Sequence, residues 1–331
     1  MDEQRFRDYL GTRDLDPTAI DRAIQVVRRF DRRLRAEAPP RGVDEATAED
    51  VHRLATTVLA GSESAESDLL ALARYARLVG NHDATAAWVE LWDGWDVPHR
   101  LADTLALLAG EEASGAVFEG LPIPPPGTPA GEKPAFTREL MDRLAAQIDP
   151  EACRRALTSG LHFVPRESFA AERDRYLAAR DIDAFIDDEH QRYVAYLAGL
   201  RDSGELYYAQ PITDAVVEYV RRTPTCGPGI REGSVVRVTK IPYQADRYLG
   251  EEDAARRRYF ACHCMWARES ILHPEVTVSP LLCLCSAGFE KQYWDAVLDQ
   301  PVEVDVVRSA LRGDPVCEFA VHLPDDAFPA G

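Results

Sequence analysis

Six prolines occur within the fourteen residues LPIPPPGTPAGEKP, from Leu121 to Pro134. Proline has no backbone N–H and clashes with the preceding helical turn, so no helix continues through this stretch. The chain of 331 residues also exceeds the usual size of a single domain. We therefore expect a helical domain over residues 1–121, a proline-rich linker over 122–134 and a second domain over 135–331. Limited proteolysis is expected to cut within the linker.

The segment before the linker has the apolar spacing of packed helices. In PTAIDRAIQVVRRFDRRLRAE, apolar residues recur every three or four positions behind Pro17, a residue that suits the first turn of a helix. Three further segments with this spacing close on Gly61, Gly80 and Gly110, as glycine-capped helices do. The pattern predicts an all-helical N-terminal half.

Beyond the linker, helical spacing continues until SVVRVTKIPY, where β-branched residues alternate with polar ones as in a strand. We expect further strands near Arg258–Cys264 and Val276–Cys285, and in PVEVDVVRSAL and PVCEFAVHLP. A helix is expected from Ser286, as its N-cap, to about Leu298. The predicted fold class is α+β: a helical N-terminal half followed by a small, cysteine-rich α+β domain with an antiparallel sheet.

The charge of the chain restricts its partners. The formal net charge is −18 and the pI is near 4.9, so the surface repels nucleic acid and anionic lipid. The N-terminus MDEQRFRDYLG has no apolar signal region, and no run of eighteen apolar residues occurs. We expect a cytoplasmic protein with no nucleic-acid or membrane partner. The sequence leaves a homodimer open.

The seven cysteines include two closely spaced pairs, Cys262 with Cys264 and Cys283 with Cys285. On a strand, each pair would face one side at a separation of roughly 6.5–7 Å, too wide for all four sulfurs to ligate one zinc at about 2.3 Å. Three interpretations remain open: a bound metal, most readily zinc, reduced core thiols, or a reactive thiol at Cys285 near a helix N-terminus. An iron–sulfur cluster ranks below zinc because the spacing differs from ferredoxin runs.

The run CLCSAGF, from Cys283 to Phe289, and the later RSALRGDPVCEF around Cys317 resemble the C-terminal motif of the 4-vinyl reductase domain. That motif is Cys-x4-Gly-aromatic, then a Glu-Cys pair, then Gly-x3-Cys. The 2-amino-thiazoline-4-carboxylate hydrolase-like family shares this ending. The resemblance implies a zinc ion held by the motif cysteines beside a pocket for a small ligand. Cys283 and Cys317 match, whereas Ser309 stands where the family has its middle cysteine. The missing thiolates would then come from Cys262, Cys264 or Cys285.

Polar residues suited to a small carboxylate lie near these cysteines in the sequence. The candidates for substrate binding are Lys240, Tyr243, Arg268 and Glu269. Arg268 is the expected charge anchor, because guanidinium binds carboxylate through two parallel hydrogen bonds. The candidate catalytic residues are Cys285, as a thiol at a helix N-terminus, and His263, because imidazole titrates near neutral pH.

These patterns predict a zinc- or thiol-dependent hydrolase or lyase that acts on a small anionic heterocyclic or sulfur-containing substrate. The alternative is a zinc-containing sensor module that binds a small molecule without catalysis and reports occupancy through its helical half. A structural protein that keeps zinc only for stability is a third interpretation. The helical N-terminal half resembles no family that would favour one of them.

Overall fold

The computed structural model describes residues 1–13, 15–324 and 327, and these fall into two compact units. Unit 1 comprises Met1–Trp95 and Ile123–Lys133, and unit 2 comprises Asp96–Pro122 and the chain from Pro134 onward. Most of the proline-rich stretch therefore belongs to unit 1, while the residues just before it belong to unit 2. This grouping differs from the predicted boundaries at residues 121 and 134.

Unit 1 is built from helices that bury one apolar face. Its helices are α1 (Glu3–Gly11), α2 (Pro17–Arg35), α3 (Ala48–Leu59), α4 (Ala65–Leu78) and α5 (His82–Trp92). Helix α2 begins where predicted: the Asp16 side chain accepts from the Ala19 N–H at 2.9 Å, and Pro17 occupies the first turn. The apolar face of α2 is buried, and the Phe30 ring meets the Trp88 ring edge-on with centroids 5.0 Å apart.

Unit 2 combines helices with two small antiparallel sheets. Its helices are α6 (Val97–Ala109), α7 (Glu111–Phe118), α8 (Pro134–Gln147), α9 (Pro150–Leu157), α10 (Ala170–Ala178), α11 (Ile182–Ser203), α12 (Asp214–Arg222), α13 (Ala245–Gly250), α14 (Ala254–Ala261) and α15 (Leu284–Leu298). Its strands are β1 (Leu206–Tyr207), β2 (Gln210–Pro211), β3 (Ile230–Glu232), β4 (Val235–Thr239), β5 (Glu303–Arg308) and β6 (Glu318–His322). Strands β1 and β2 form a hairpin, and the larger sheet has the order β3-β4-β6-β5.

The larger sheet packs its inner face against α15 and the start of α11. Alternation along β4 turns Val236 and Val238 inward, opposite Val321 and Phe319 of β6. These residues share a core with Trp294 of α15, which is fully buried. The core fixes α15 against the sheet, and α15 carries several of the side chains described below.

The predicted α+β class with an antiparallel sheet is confirmed, and the described residues before Leu206 contain no strand. The expected strands in SVVRVTKIPY, PVEVDVVRSAL and PVCEFAVHLP correspond to β4, β5 and β6. A small cysteine-rich domain standing apart from these helices stays a prediction, because the sheet lies within unit 2 together with its helices.

The strand predicted near Arg258–Cys264 is wrong. The residues before Cys262 form α14, whose N-cap Asp253 accepts from the Arg256 N–H at 2.8 Å. Alanine and arginine favour a helix once a cap is present, and no neighbouring strand offers partners for a sheet. The cysteines at 262 and 264 therefore lie in the turn after α14 instead of along a strand face.

The strand predicted near Val276–Cys285 is also wrong. Ser279 caps a short 3-10 helix over Pro280–Cys283, and α15 follows directly from Leu284. Ser286 is consequently the third residue of α15 and not its N-cap. Proline at the first position with a serine cap favours a helical turn, so the argument that paired cysteines share a strand face does not apply.

Among the described residues, no helix combines the length and the hydropathy needed to cross a membrane.

Candidate functional site

The candidate site forms around the loop that follows β4, which two other segments hold in place. The Lys240 N–H donates to the Cys317 carbonyl at 3.0 Å, beside the start of β6. The Gln244 N–H donates to the Phe260 carbonyl at 2.9 Å, at the end of α14. These bonds bring the region of Lys240 and Tyr243 next to the turn that carries Cys262, although the two lie about twenty residues apart in sequence.

The His263 ring is fixed against this loop. Its Nε2 lies 2.7 Å from the Ile241 carbonyl oxygen, and its centroid lies 5.3 Å from that of the Tyr243 ring. Burial lowers the pKa of His263 to about 3, the nearby charges of Lys240 and Arg268 add to that effect, and the Ile241 carbonyl opposes it. The ring is therefore neutral at pH 7, and because a carbonyl only accepts, Nε2 carries the hydrogen and Nδ1 is the basic nitrogen.

Arg268 is buried at 3 % exposure, on a 3-10 turn that follows the first cysteine pair. Its guanidinium carbon lies 5.1 Å from the Tyr243 ring centroid and 4.9 Å from that of Tyr259. Its Nε is 3.6 Å from a Glu269 carboxylate oxygen, which also accepts from the Tyr259 hydroxyl at 2.7 Å. The structure thus brings together Tyr243, Arg268 and Glu269, three of the four predicted substrate-binding residues.

Lys240, the fourth, reaches towards α15. Its Nζ donates to the Ser286 hydroxyl at 2.9 Å and lies 3.6 Å from a Glu290 carboxylate oxygen. The same ammonium lies 4.7 Å from the Phe289 ring centroid and 5.8 Å from that of Phe319. Burial raises the pKa of Glu290, and the neighbouring Lys240 charge only partly opposes the rise. Lys240 and Glu290 therefore form a largely buried pair, and the charge of Lys240 also acts on His263.

The four cysteines predicted as metal ligands lie in one neighbourhood. Cys262 is buried, and Cys264 and Cys317 pack against the same apolar cluster. Burial raises the pKa of Cys262 well above its ordinary value, and the neighbouring thiols at 317, 264 and 283 raise it further. Burial raises the pKa of Cys283 to about 12, and the neighbouring Cys317 thiol contributes to the rise. Without a metal or another cation the Cys262 and Cys283 thiols stay protonated at neutral pH.

Ser309 occupies the place that the resemblance assigns to a further cysteine. Its hydroxyl accepts from the Cys283 thiol at 3.2 Å, and its N–H donates to Asp314 at 2.9 Å. The donor atoms of this region suit zinc, which favours thiolate sulfur. Within the described part of the chain, however, no three His, Cys, Asp or Glu side chains are placed together as a group that could hold a metal ion.

Cys285, the predicted catalytic thiol, is buried at 5 % exposure in the first turn of α15. It lies next to Ser286 in the chain, and the hydroxyl of Ser286 is the group that contacts Lys240. The proposed role of Cys285 stays a prediction.

Three residues near these groups were not predicted from the sequence as site residues. Ser286 and Glu290 stand four positions apart on α15, a spacing that places two side chains on one helix face and was available as a signal. His162 lies close enough to His263 for its charge to lower the pKa of that ring. No pattern in the sequence around His162 links it to residue 263.

Comparison with known proteins found no match to this chain among protein-family models, curated proteins or solved structures.

Proposed function

We propose that unit 2 is a hydrolase or lyase that acts on a small anionic substrate, with Arg268 as the charge anchor. The observation that carries the proposal is the burial of the Arg268 guanidinium between the faces of Tyr243 and Tyr259. A buried guanidinium enclosed by two rings has little freedom to turn, and a fixed orientation suits the bidentate binding of a carboxylate.

The other predicted residues take roles around this anchor. Lys240 adds a second positive charge, and Tyr243 contacts both the His263 ring and the Arg268 guanidinium. Glu269 holds the Tyr259 hydroxyl in place beside Arg268. His263 and Cys285 remain the candidate catalytic residues, and the substrate class stays a small anionic heterocyclic or sulfur-containing molecule.

The test of this proposal is binding of 2-amino-thiazoline-4-carboxylate, a small carboxylate named by the resemblance, measured by isothermal titration calorimetry. Arg268→Ala should weaken binding by roughly a hundredfold, because the carboxylate loses a charged, buried hydrogen-bond partner. Arg257→Ala is the matched control. The Arg257 guanidinium also lies on a tyrosine face, 4.6 Å from the Tyr248 centroid, but the residue is exposed.

Consumption of the carboxylate, monitored by chromatography, distinguishes an enzyme from a sensor module. Binding that depends on Arg268, together with turnover, supports a hydrolase or lyase. Binding that depends on Arg268 without turnover favours the sensor module. Equal binding by wild type, Arg268→Ala and Arg257→Ala contradicts Arg268 as the anchor.

Zinc bound by the thiols is part of the proposal. We expect about one zinc ion per purified chain, held by Cys283 and Cys317 with one or two further thiols from Cys262, Cys264 and Cys285. Because burial raises the pKa of Cys262, Cys283 and Cys317, binding must displace their protons and should acidify a weakly buffered solution.

Metal analysis of wild type and Cys317→Ser measures the zinc content, and the serine variant should lose the metal. Ser309→Cys adds a thiol beside Cys283 and should retain metal at higher chelator concentrations. The expectation would be contradicted if purified wild type contained no metal and a chelator left its stability unchanged, since a structural zinc contributes to folding.

A further inference from the structure

We propose that Ser286 is the nucleophile of this site and that Lys240 and Glu290 activate it. The inference rests on the proposed function, because it names the attacking group of that hydrolase. It assigns acyl-group hydrolysis, in which a small carboxylate-bearing ester, thioester or amide is transferred to the serine and then to water.

The geometry is that of an activated hydroxyl. An amine lies 2.9 Å from the Ser286 oxygen, within reach for proton transfer, and a carboxylate 3.6 Å away holds the amine from its other side. A nucleophile, a base within hydrogen-bond reach and a third group that orients the base form the recurring signature of covalent hydrolysis. Ser286 and Glu290 share one face of α15, and Lys240 reaches them from the end of β4.

The surroundings of Lys240 favour passing a proton from Ser286 towards Glu290. Its Nζ lies against two phenylalanine rings, and Glu290 is largely buried. Low polarity penalises an ion pair, and burial raises the pKa of Glu290. As the Ser286 proton passes to Lys240, one ammonium proton can therefore move on to the Glu290 carboxylate, 3.6 Å away.

The reaction proceeds in two halves, acylation of Ser286 and hydrolysis of the acyl-serine. The Ser286 oxygen bonds to the substrate carbonyl carbon while its proton passes to the Lys240 amine, and the C=O electrons move onto oxygen. When the C=O bond re-forms, the bond to the leaving group breaks and that group takes the proton from Lys240. Water enters by the same route, giving its proton to the amine, and its attack releases the acid and restores the Ser286 hydroxyl.

The position of Ser286 on α15 makes it a better candidate nucleophile than the adjacent Cys285. Successive helical residues point about 100° apart, so Cys285 and Ser286 cannot both face the same base. The hydroxyl of Ser286 is the group that contacts Lys240, and Cys285 is buried.

The test is phosphonylation by a fluorophosphonate, which needs no knowledge of the substrate. The serine oxygen bonds to phosphorus, the P–F bond breaks, fluoride leaves and the proton passes to Lys240. We expect one adduct per chain, which peptide mass spectrometry should locate on Ser286. Ser286→Ala should abolish it. Ser203→Ala is the control and should label like wild type, because its hydroxyl is exposed and donates to the Leu200 carbonyl.

Lys240→Arg separates a base from a merely structural lysine. Arginine keeps the positive charge and can donate to Ser286, but it cannot accept a proton. The labelling rate should fall by roughly a hundredfold, the usual contribution of a general base. Labelling at the wild-type rate in Lys240→Arg would overturn the assignment of Lys240.

The outcomes separate this inference from the proposed function. Wild-type protein with no adduct on Ser286, or with its only adduct elsewhere, overturns Ser286 as the nucleophile even if thiazoline carboxylate binding still depends on Arg268. An adduct on Ser286 supports it whether or not that carboxylate binds. If Ser286→Ala fails to fold, the position of the wild-type adduct decides.

Discussion

Gly288 shows at the scale of one residue how closely α15 approaches its neighbours. A Cβ atom at this position would lie 2.9 Å from backbone atoms of Thr158, closer than real side chains come. Backbone atoms cannot swing aside as a side-chain tip can. The absence of a side chain therefore lets α15 approach the end of α9, and that contact helps to fix the helix that carries Ser286 and Glu290.

Replacing Gly288 by alanine should lower the free energy of unfolding by about 1–3 kcal/mol, because overpacking outweighs the gain in helix propensity. Gly199 in α11 is the matched control, since a Cβ there meets nothing within 4 Å. Gly199→Ala should raise the free energy of unfolding by up to about 1 kcal/mol. Urea unfolding measures both, and changes of the same sign in the two variants would contradict this account.

At the scale of an element, α3 shows how a buried carboxylate can hold a helix start. Asp50 and Thr47 form a capping box: the Asp50 N–H donates to the Thr47 hydroxyl at 3.2 Å, and the Thr47 N–H donates to the Asp50 carboxylate at 2.9 Å. The carboxylate also accepts from Arg41 at 2.8 Å and Arg53 at 2.6 Å. The Asp50 side chain is 1 % exposed, so these hydrogen bonds take the place of those that water would otherwise make to the carboxylate.

Asp50→Ala should cost about 3 kcal/mol, because it removes one half of the capping box and two charge-assisted hydrogen bonds, although Arg53 keeps its bond to Glu37. Asp181→Ala removes the cap of α11 at a more exposed position and should cost clearly less. Equal costs, measured by urea unfolding, would mean that the burial of Asp50 adds nothing.

The cost of Asp50→Ala should also depend on pH. Burial alone would raise the pKa of Asp50, but the Thr47 hydrogen bonds and the two arginines outweigh it and hold that pKa below its ordinary value of 3.8. A carboxyl group with a depressed folded pKa stabilises the fold fully above its unfolded pKa and loses that contribution as pH falls. The difference between wild type and Asp50→Ala should therefore be constant near neutrality and shrink below about pH 4. A difference that grows in acid would contradict the sign.

At the scale of the whole molecule, most of the proline-rich stretch is part of unit 1. Gly127 has a φ of +85°, and a Cβ there would lie 2.8 Å from the Leu59 side chain and 3.0 Å from the Ala55 backbone. The Thr56 hydroxyl donates to the Gly127 carbonyl at 3.3 Å. The segment therefore packs on α3, and the chain crosses between the units three times: after Trp95, after Pro122 and after Lys133.

Gly127→Ala should destabilise unit 1 by about 2–4 kcal/mol, because the left-handed backbone and the contact with α3 both disfavour a side chain. Hydrogen exchange should show the amides of α3 exchanging faster while those of β4 and β6 are unchanged. Gly131→Ala is the control, because no atom lies within 4 Å of a Cβ there. Unchanged exchange in α3, or protease cleavage within 127–133 as the first event, would instead favour the flexible linker predicted from the prolines.

Local pattern in the sequence was sufficient for α2, α3, α4 and α6 and for β4, β5 and β6. The signals were the apolar spacing, the Asp16–Pro17 start of α2 and the glycines after α3, α4 and α6. Each signal acts within a few residues and therefore depends little on the rest of the fold. The same information placed Lys240, Tyr243 and Arg268 near the cysteines, because short separation in the chain favours proximity in the fold.

Tertiary structure decided what depends on distant partners. Residues near 260 and 280 had no neighbouring strand to pair with, so their local caps made helical turns and removed the predicted cysteine faces. Lys240 meets Ser286 across 46 residues, through the packing of α15 on the sheet. Only a folded core specifies which side chains meet over such separations, because no local propensity links them.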